Sequence, residues 1–127
     1  MRDYNKILLC LDLTDDSETL AVRAKSLAAA FGAELTLLHV VEYVPVEPMG
    51  EALLPAVQIE GELVERARLR IAELAAKLGL DHCERLVQTG NIKAEVVRIA
   101  QTRAIDLIVI GSRERHGVSI LFNFTED

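Results

Sequence analysis

Three stretches carry residues whose types and spacing could do chemistry. Asp12 directly follows the apolar run Ile7-Leu8-Leu9-Cys10-Leu11. A carboxylate there can accept hydrogen bonds from a ribose hydroxyl or an amino group, and it can equally cap a following helix. Gly111-Ser112 follows the run Leu107-Ile108-Val109-Ile110. Glycine lets a backbone approach a phosphate closely and serine adds a hydroxyl, although an ordinary turn uses the same pair. Arg113, Arg115 and His116 come next, two permanent cations and a titratable third. They fit an anion site or a charged surface loop.

Other chemistry finds little support. The chain has no GxxxxGK phosphate loop, no GxGxxG after the first apolar run, no GxSxG elbow and no HExxH pair. His39, His82 and His116 share no spacing that suits a metal, and Cys10 and Cys83 form no CxxC pair. His39 sits inside an apolar run and reads as a hydrogen-bonded core residue, and Cys10 reads as packing. Gly90 reads as a turn residue before a helix. With no nucleophile beside a base, a hydrolase or transferase would rest on Asp12 alone.

These residues need a scaffold, and composition bounds it. The 127 residues fit one domain, 1–127, and 50% hydrophobic content is enough for a core without metal or disulfide staples. Lys plus Arg number 14 against 20 Asp plus Glu, for a net charge of −6, and aromatics are 4%. Such a chain lacks the basic face and stacking rings of a nucleic-acid binder. No apolar run approaches the ~20 residues that span a bilayer, and no leader pattern opens the chain. A cytoplasmic protein is the expectation.

The elements alternate. Ile7–Leu11, Leu35–Val41 and Leu107–Ile110 are short, nearly continuous apolar runs, as expected of strands buried on both faces, and Glu84–Gln88 is a weaker one. Between them lie helical stripes. The first is Leu20, Ala24, Leu27 and Phe31, opened by Thr14-Asp15-Asp16-Ser17 and closed by Gly32. The second is Leu63, Ala67, Ile71, Leu74 and Leu78, closed by Gly79; the third is Ile92, Val96 and Ile99. All three prolines fall in 42–56, which reads as one long loop. Strand and helix in turn predict an α/β fold, a Rossmann-like open parallel sheet with helices on both faces. Ligands of such sheets bind beyond the carboxyl ends of the strands, where Asp12 and Gly111-Ser112 fall.

Four segments in register over about residues 3–119 resemble the universal stress protein family: Asn5–Thr14, Leu37-Leu38-His39-Val40, Thr89-Gly90 ahead of Ile92…Glu95-Val96-Val97, and Asp106–Arg113. The resemblance implies five parallel strands in the order 3-2-1-4-5, cytoplasmic homodimers or other homo-oligomers, and a role in survival under stress or growth arrest. One branch of the family binds ATP. In that branch, adenine and ribose contacts would fall here on Cys10, Leu11, Asp12 and Val40. The phosphates would lie on a motif written G-x-x-G, nine residues, then G-[S/T], which begins at Gly111 and Ser112.

The sequence departs from that motif. Glu114 replaces its second glycine and Phe124 its third, with Thr125 in the hydroxyl position. Arg113 and Arg115 could offset the Glu114 charge. ATP or AMP is the ligand the resemblance implies, and Glu114 and Phe124 oppose it. The chain also ends at Asp127, too soon for the family's last helix and fifth strand. The expectation is thus strand order 3-2-1-4, an open edge on the fourth strand, and Ser119–Phe124 packing over that side or reaching a second subunit. Two readings follow: a stress protein that acts by binding an adenine nucleotide, or a dimeric interaction module whose nucleotide site has decayed.

Overall fold

The computed structural model describes residues 4–14, 16–42, 53–112 and 117–122, and for 53–58, 112 and 117–122 the backbone alone. In chain order the elements are β1 (Lys6–Cys10), α1 (Ser17–Phe31), β2 (Glu34–Val41), α2 (Leu53–Lys77), β3 (Glu84–Thr89), α3 (Ile92–Thr102), β4 (Leu107–Ser112) and β5 (Gly117–Phe122). One sheet runs β3-β2-β1-β4-β5. Its first four strands are parallel, with Leu8 opposite both Thr36 and Ile108. The expected order 3-2-1-4 and the α/β class are therefore what the chain adopts.

The unbroken apolar runs are explained by two cores. Ile7, Leu9, Leu37 and Val109 face α1 and α2, where Ala21, Ala24, Ala67, Ile71 and Ala75 cover them. Leu8, Cys10, Leu38, Val40 and Ile108 face α3, under Val96, Ile99 and Ala100. β1, β2 and β4 are thus apolar on both sides, the edge strand β3 less so, and each fully buried Leu or Ile contributes about 1.5–3 kcal/mol of transfer free energy. α1 and α2 end alike. The amides of Gly32 and Ala33 bond back to the Ala29 and Ala28 carbonyls, and those of Gly79 and Leu80 to Ala76 and Ala75. That double bond pattern needs a left-handed residue, supplied by glycine at φ 63° and 72°.

Two expectations are corrected. The edge of β4 is not open: β5 lies on it antiparallel, from Leu107 opposite Phe122 to Ser112 opposite Gly117. Only four residues separate β4 from β5. A parallel return needs a crossover of a dozen or more, so the chain can only double back. The long loop also ends earlier than 56. α2 begins at Leu53, with Pro55 in its first turn, where a missing N–H costs no helical bond. Residues 43–52 lie outside the described part.

Candidate functional site

α1 and α2 cover one face of the sheet and α3 the other, so the connections diverge between β1 and β4. At the carboxyl ends of the strands this reversal leaves a cleft of about 500 Å³. Volume alone does not single it out, since a hollow of about 460 Å³ lies beside Lys6 and Arg103 at the opposite rim. Its walls do. They come from the ends of β1, β2 and β4 and from all three helices.

β1 delivers Cys10, Leu11 and Asp12. The Leu11 amide donates to the Leu38 carbonyl at 2.8 Å, extending the β1–β2 ladder one step past the strand. The Asp12 Oδ1 then accepts from the Thr14 amide (3.1 Å), the Thr14 hydroxyl (2.8 Å) and the Ser17 hydroxyl (3.1 Å). Both uses foreseen for Asp12 therefore share one place. It ties the start of α1, while Asp16 at the N-cap position makes no side-chain cap, and it lines the cleft.

β2 supplies His39, Val40, Val41 and Glu42. The His39 Nδ1 lies 2.7 Å from the Leu11 carbonyl, which can only accept, so Nδ1 carries the proton. Glu42 Oε2 accepts from the Ile92 amide at 3.4 Å, and Asn91 Oδ1 from the Ala94 amide at 2.9 Å, so two side chains serve the start of α3. β4 adds Ile110 and Gly111. A Cβ on Gly111 would press on Leu20 Cδ2 at 3.3 Å, so α1 packs against bare backbone at this point.

Of the residues singled out from sequence, Cys10, Leu11, Asp12, Val40 and Gly111 thus line one cleft. Ser112 ends β4, its backbone paired with Gly117. Arg113, Glu114, Arg115, His116, Phe124 and Thr125 lie outside the described residues. Sequence reading did not single out the remaining contributors, among them His39, Glu42, Leu63 and Ile92. His39 was assigned to the core, yet it is half-buried and lines the cleft beside Glu42, Leu63 and Ile92. The position of Glu42 at the end of β2 was the available signal. Leu63 gave none, because its place depends on how α2 crosses the sheet.

The walls are mostly apolar: Leu20, Leu38, Val40, Leu63, Val96 and Ile110 among them. The described charges in them are the carboxylates of Asp12 and Glu42. Such a cleft suits a flat apolar body that carries hydroxyl or amino donors. Burial pushes the Cys10 thiol up to about 12, so at neutral pH it packs as a protonated group. Among the described residues no cluster of His, Cys, Asp and Glu could hold a metal ion. No described helix is long and apolar enough to cross a membrane.

Comparison with known proteins agrees with this layout. The sequence model of the Universal stress protein family matches residues 3–124. Universal stress protein A homolog 2 of Coxiella burnetii is 33% identical over 128 residues, covering 100% of this chain and 88% of that one. The chain belongs to the universal stress protein family. A second family member, encoded in the 3′ region of a Thermus aquaticus QAH/OAS sulfhydrylase, is 32% identical over 94% of this chain and 85% of its own length. Among solved structures, universal stress protein UspA from Lactobacillus plantarum superposes with a TM-score of 0.66 at 22% identity, covering 91% of this chain and 84% of that one. A universal stress protein in complex with cAMP gives 0.57 at 24% identity, over 91% and 79%. At those identities the structural likeness bears on the fold.

Proposed function

We propose that this universal stress protein binds an adenine nucleotide, ATP or AMP, in the cleft between β1 and β4, and that it acts in a stress response by binding rather than by catalysis. One observation carries the reading. Asp12, Val40 and Gly111 lie up to 99 positions apart in sequence, yet they line a single apolar cleft at the switch point of the sheet. The apolar walls suit a purine face, and Asp12 is an acceptor for ribose hydroxyls. A relative with the same fold is known in complex with cAMP, which supports the ligand class. The phosphates would then run past Gly111 toward Ser112, which Arg113 and Arg115 follow in sequence.

A thermal-shift series over ATP, AMP, cAMP and adenosine tests this. A ligand at 100 times its Kd adds about 2.7 kcal/mol to stability, a shift of several degrees for a domain of this size. A melting temperature that stays flat to millimolar concentrations of all four removes the reading.

The second reading is a homodimeric interaction module, and β5 favours it. As the outermost strand of the sheet, β5 has one ladder edge facing away from β4. Such an edge is a template for pairing with another chain. Sedimentation without nucleotide would then show a dimer, broken by Ser119→Pro or Ile120→Pro, whichever amide points outward. A monomer at all concentrations removes it.

A further inference from the structure

The turn that carries Asp12 is held from outside. Leu13, buried at 7% exposure, has φ 59°, a region that non-glycine residues rarely adopt. On either side, bonds stay within the sheet or the turn itself: Leu11 to Leu38, Thr14 to Asp12, and Ser17 N to the Thr14 carbonyl at 3.0 Å. The Leu13 carbonyl instead accepts from the Arg70 guanidinium, 57 positions away in the middle of α2. Arg70 is well anchored for this task, since Ala67 and Ile71 on the same helix are 5% and 2% exposed against the sheet. A guanidinium stays charged at any physiological pH and its planar fork loses little freedom per bond formed. The nearby tie from α2 to α1, Lys77 to Glu18 at 3.0 Å, is an exposed ion pair and adds little.

We propose that Arg70 is a positioning residue for Asp12: by holding the Leu13 carbonyl it fixes the left-handed turn that presents the Asp12 carboxylate to the cleft. Strained backbone of this kind persists only where its surroundings over-determine it. When the tether is cut, the Leu13–Thr14 peptide is free to rotate. The bond from Thr14 N to Asp12 Oδ1 is then lost, and the carboxylate is no longer aimed. The binding consequence rests on the nucleotide reading above, whereas the backbone consequence does not.

The experiment therefore has two readouts. AMP affinity is measured by calorimetry for wild type, Arg70→Met, Arg70→Lys and the control Arg68→Met, which removes an equal charge from an exposed site on the same helix. Amide hydrogen exchange is followed at Thr14, with Leu11 as internal reference. Arg70→Met is expected to weaken AMP about tenfold and to speed Thr14 exchange at least tenfold, with Leu11 unchanged. Arg70→Lys restores most of both, and Arg68→Met alters neither. In an Asp12→Asn background the affinity loss from Arg70→Met disappears, because the effect passes through that carboxylate. Wild-type affinity and exchange in Arg70→Met overturn the proposal, as does an additive loss in the Asp12→Asn background. If wild type binds no nucleotide, the ligand reading falls and Thr14 exchange decides the tether by itself. If Arg70→Met does not fold, Arg70→Lys must show a smaller change of the same sign in both readouts, and no change there overturns the proposal.

Discussion

The two rims of the sheet each carry an aspartate, a left-handed residue other than glycine and a buried cysteine, to different ends. At the rim where the strands begin, the Asp106 Oδ2 accepts the amides of Asn5 and Lys6, each at 2.9 Å. Ala104 holds a left-handed φ of 55°, and Cys83 is buried. At the rim where they end, the corresponding residues are Asp12, Leu13 at φ 59° and Cys10. Asp106 ties one strand to its neighbour. Asp12 ties its own turn to the start of α1 and stands at the cleft, and the Leu13 carbonyl accepts from Arg70 on α2. The first rim spends its long-range bonds on joining strand to strand, whereas the second spends one, from Arg70, on the turn that carries a carboxylate.

The largest effect should separate the two left-handed residues. Leu13→Gly relieves a strain of about 1–2 kcal/mol but empties a buried site, where leucine truncation costs about 2–5 kcal/mol. The net expectation is a loss of about 2 kcal/mol, read as a lower urea midpoint at unchanged m-value. A gain in stability would mean that the Leu13 side chain contributes nothing to the core.

Next come the cysteines. Burial raises Cys10 from 9.0 to about 12. It raises Cys83 too, though there Arg85 opposes while Asp81 and Glu34 reinforce. Above pH 9 the unfolded thiol ionises while the folded Cys10 stays protonated, so the unfolded state binds fewer protons and stability falls as pH rises toward 12. At pH 10.5 that contribution is roughly 2 kcal/mol, from 1.36 kcal/mol per pH unit. Measured by urea midpoints, wild type should therefore lose roughly 2 kcal/mol relative to Cys10→Val between pH 8 and 10.5. Parallel curves would show that Cys10 is hydrated at the cleft.

The aspartates come third. Asp106→Ala strips two charge-assisted bonds from adjoining amides and should cost about 1.5 kcal/mol, with nucleotide affinity unchanged. Asp12→Ala should cost about 1 kcal/mol, since the carboxylate is itself exposed although Ser17 is buried, yet weaken AMP tenfold or more. If calorimetry finds equal affinity losses for both, Asp12 has no special place at the ligand.

How much of this was legible beforehand follows from the range of each interaction. Three of the four parallel strands could be read because burial on two faces leaves a local mark, an apolar run such as Leu107–Ile110, whereas the edge strand β3 left a weaker one. Gly32 and Gly79 marked helix ends for the same reason. Asp12 and Gly111 were found because strand ends at a switch point are where ligands go. β5 was not, since its pairing is a tertiary matter and its residues carry no turn signature that fixes direction. Pro55 misled by reading as loop where it is tolerated in a first helical turn. Leu13 and Arg70 were beyond reach, because leucine disfavours the conformation it holds and the tether spans 57 positions.

The smallest effect is the most diagnostic. Ala104 follows α3 in the position that Gly32 and Gly79 occupy after α1 and α2: its amide bonds to the Gln101 carbonyl and that of Ile105 to Ala100. Ala104 is exposed and its side chain does not figure in either core. Glycine there removes a left-handed penalty of about 1–2 kcal/mol and adds back about 0.5–1 kcal/mol of backbone entropy in the unfolded chain. Ala104→Gly should therefore stabilise by roughly 0.5 kcal/mol, a rise of a degree or two in melting temperature, with AMP affinity untouched. Equal strain at the two rims would then have opposite remedies. At Ala104 nothing but the backbone is at stake, whereas at Leu13 the strained residue is also core and the last link before the carboxylate. A destabilised Ala104→Gly would place the cost of left-handed backbone below the entropy of glycine, and the case for a tether at Leu13 would weaken with it.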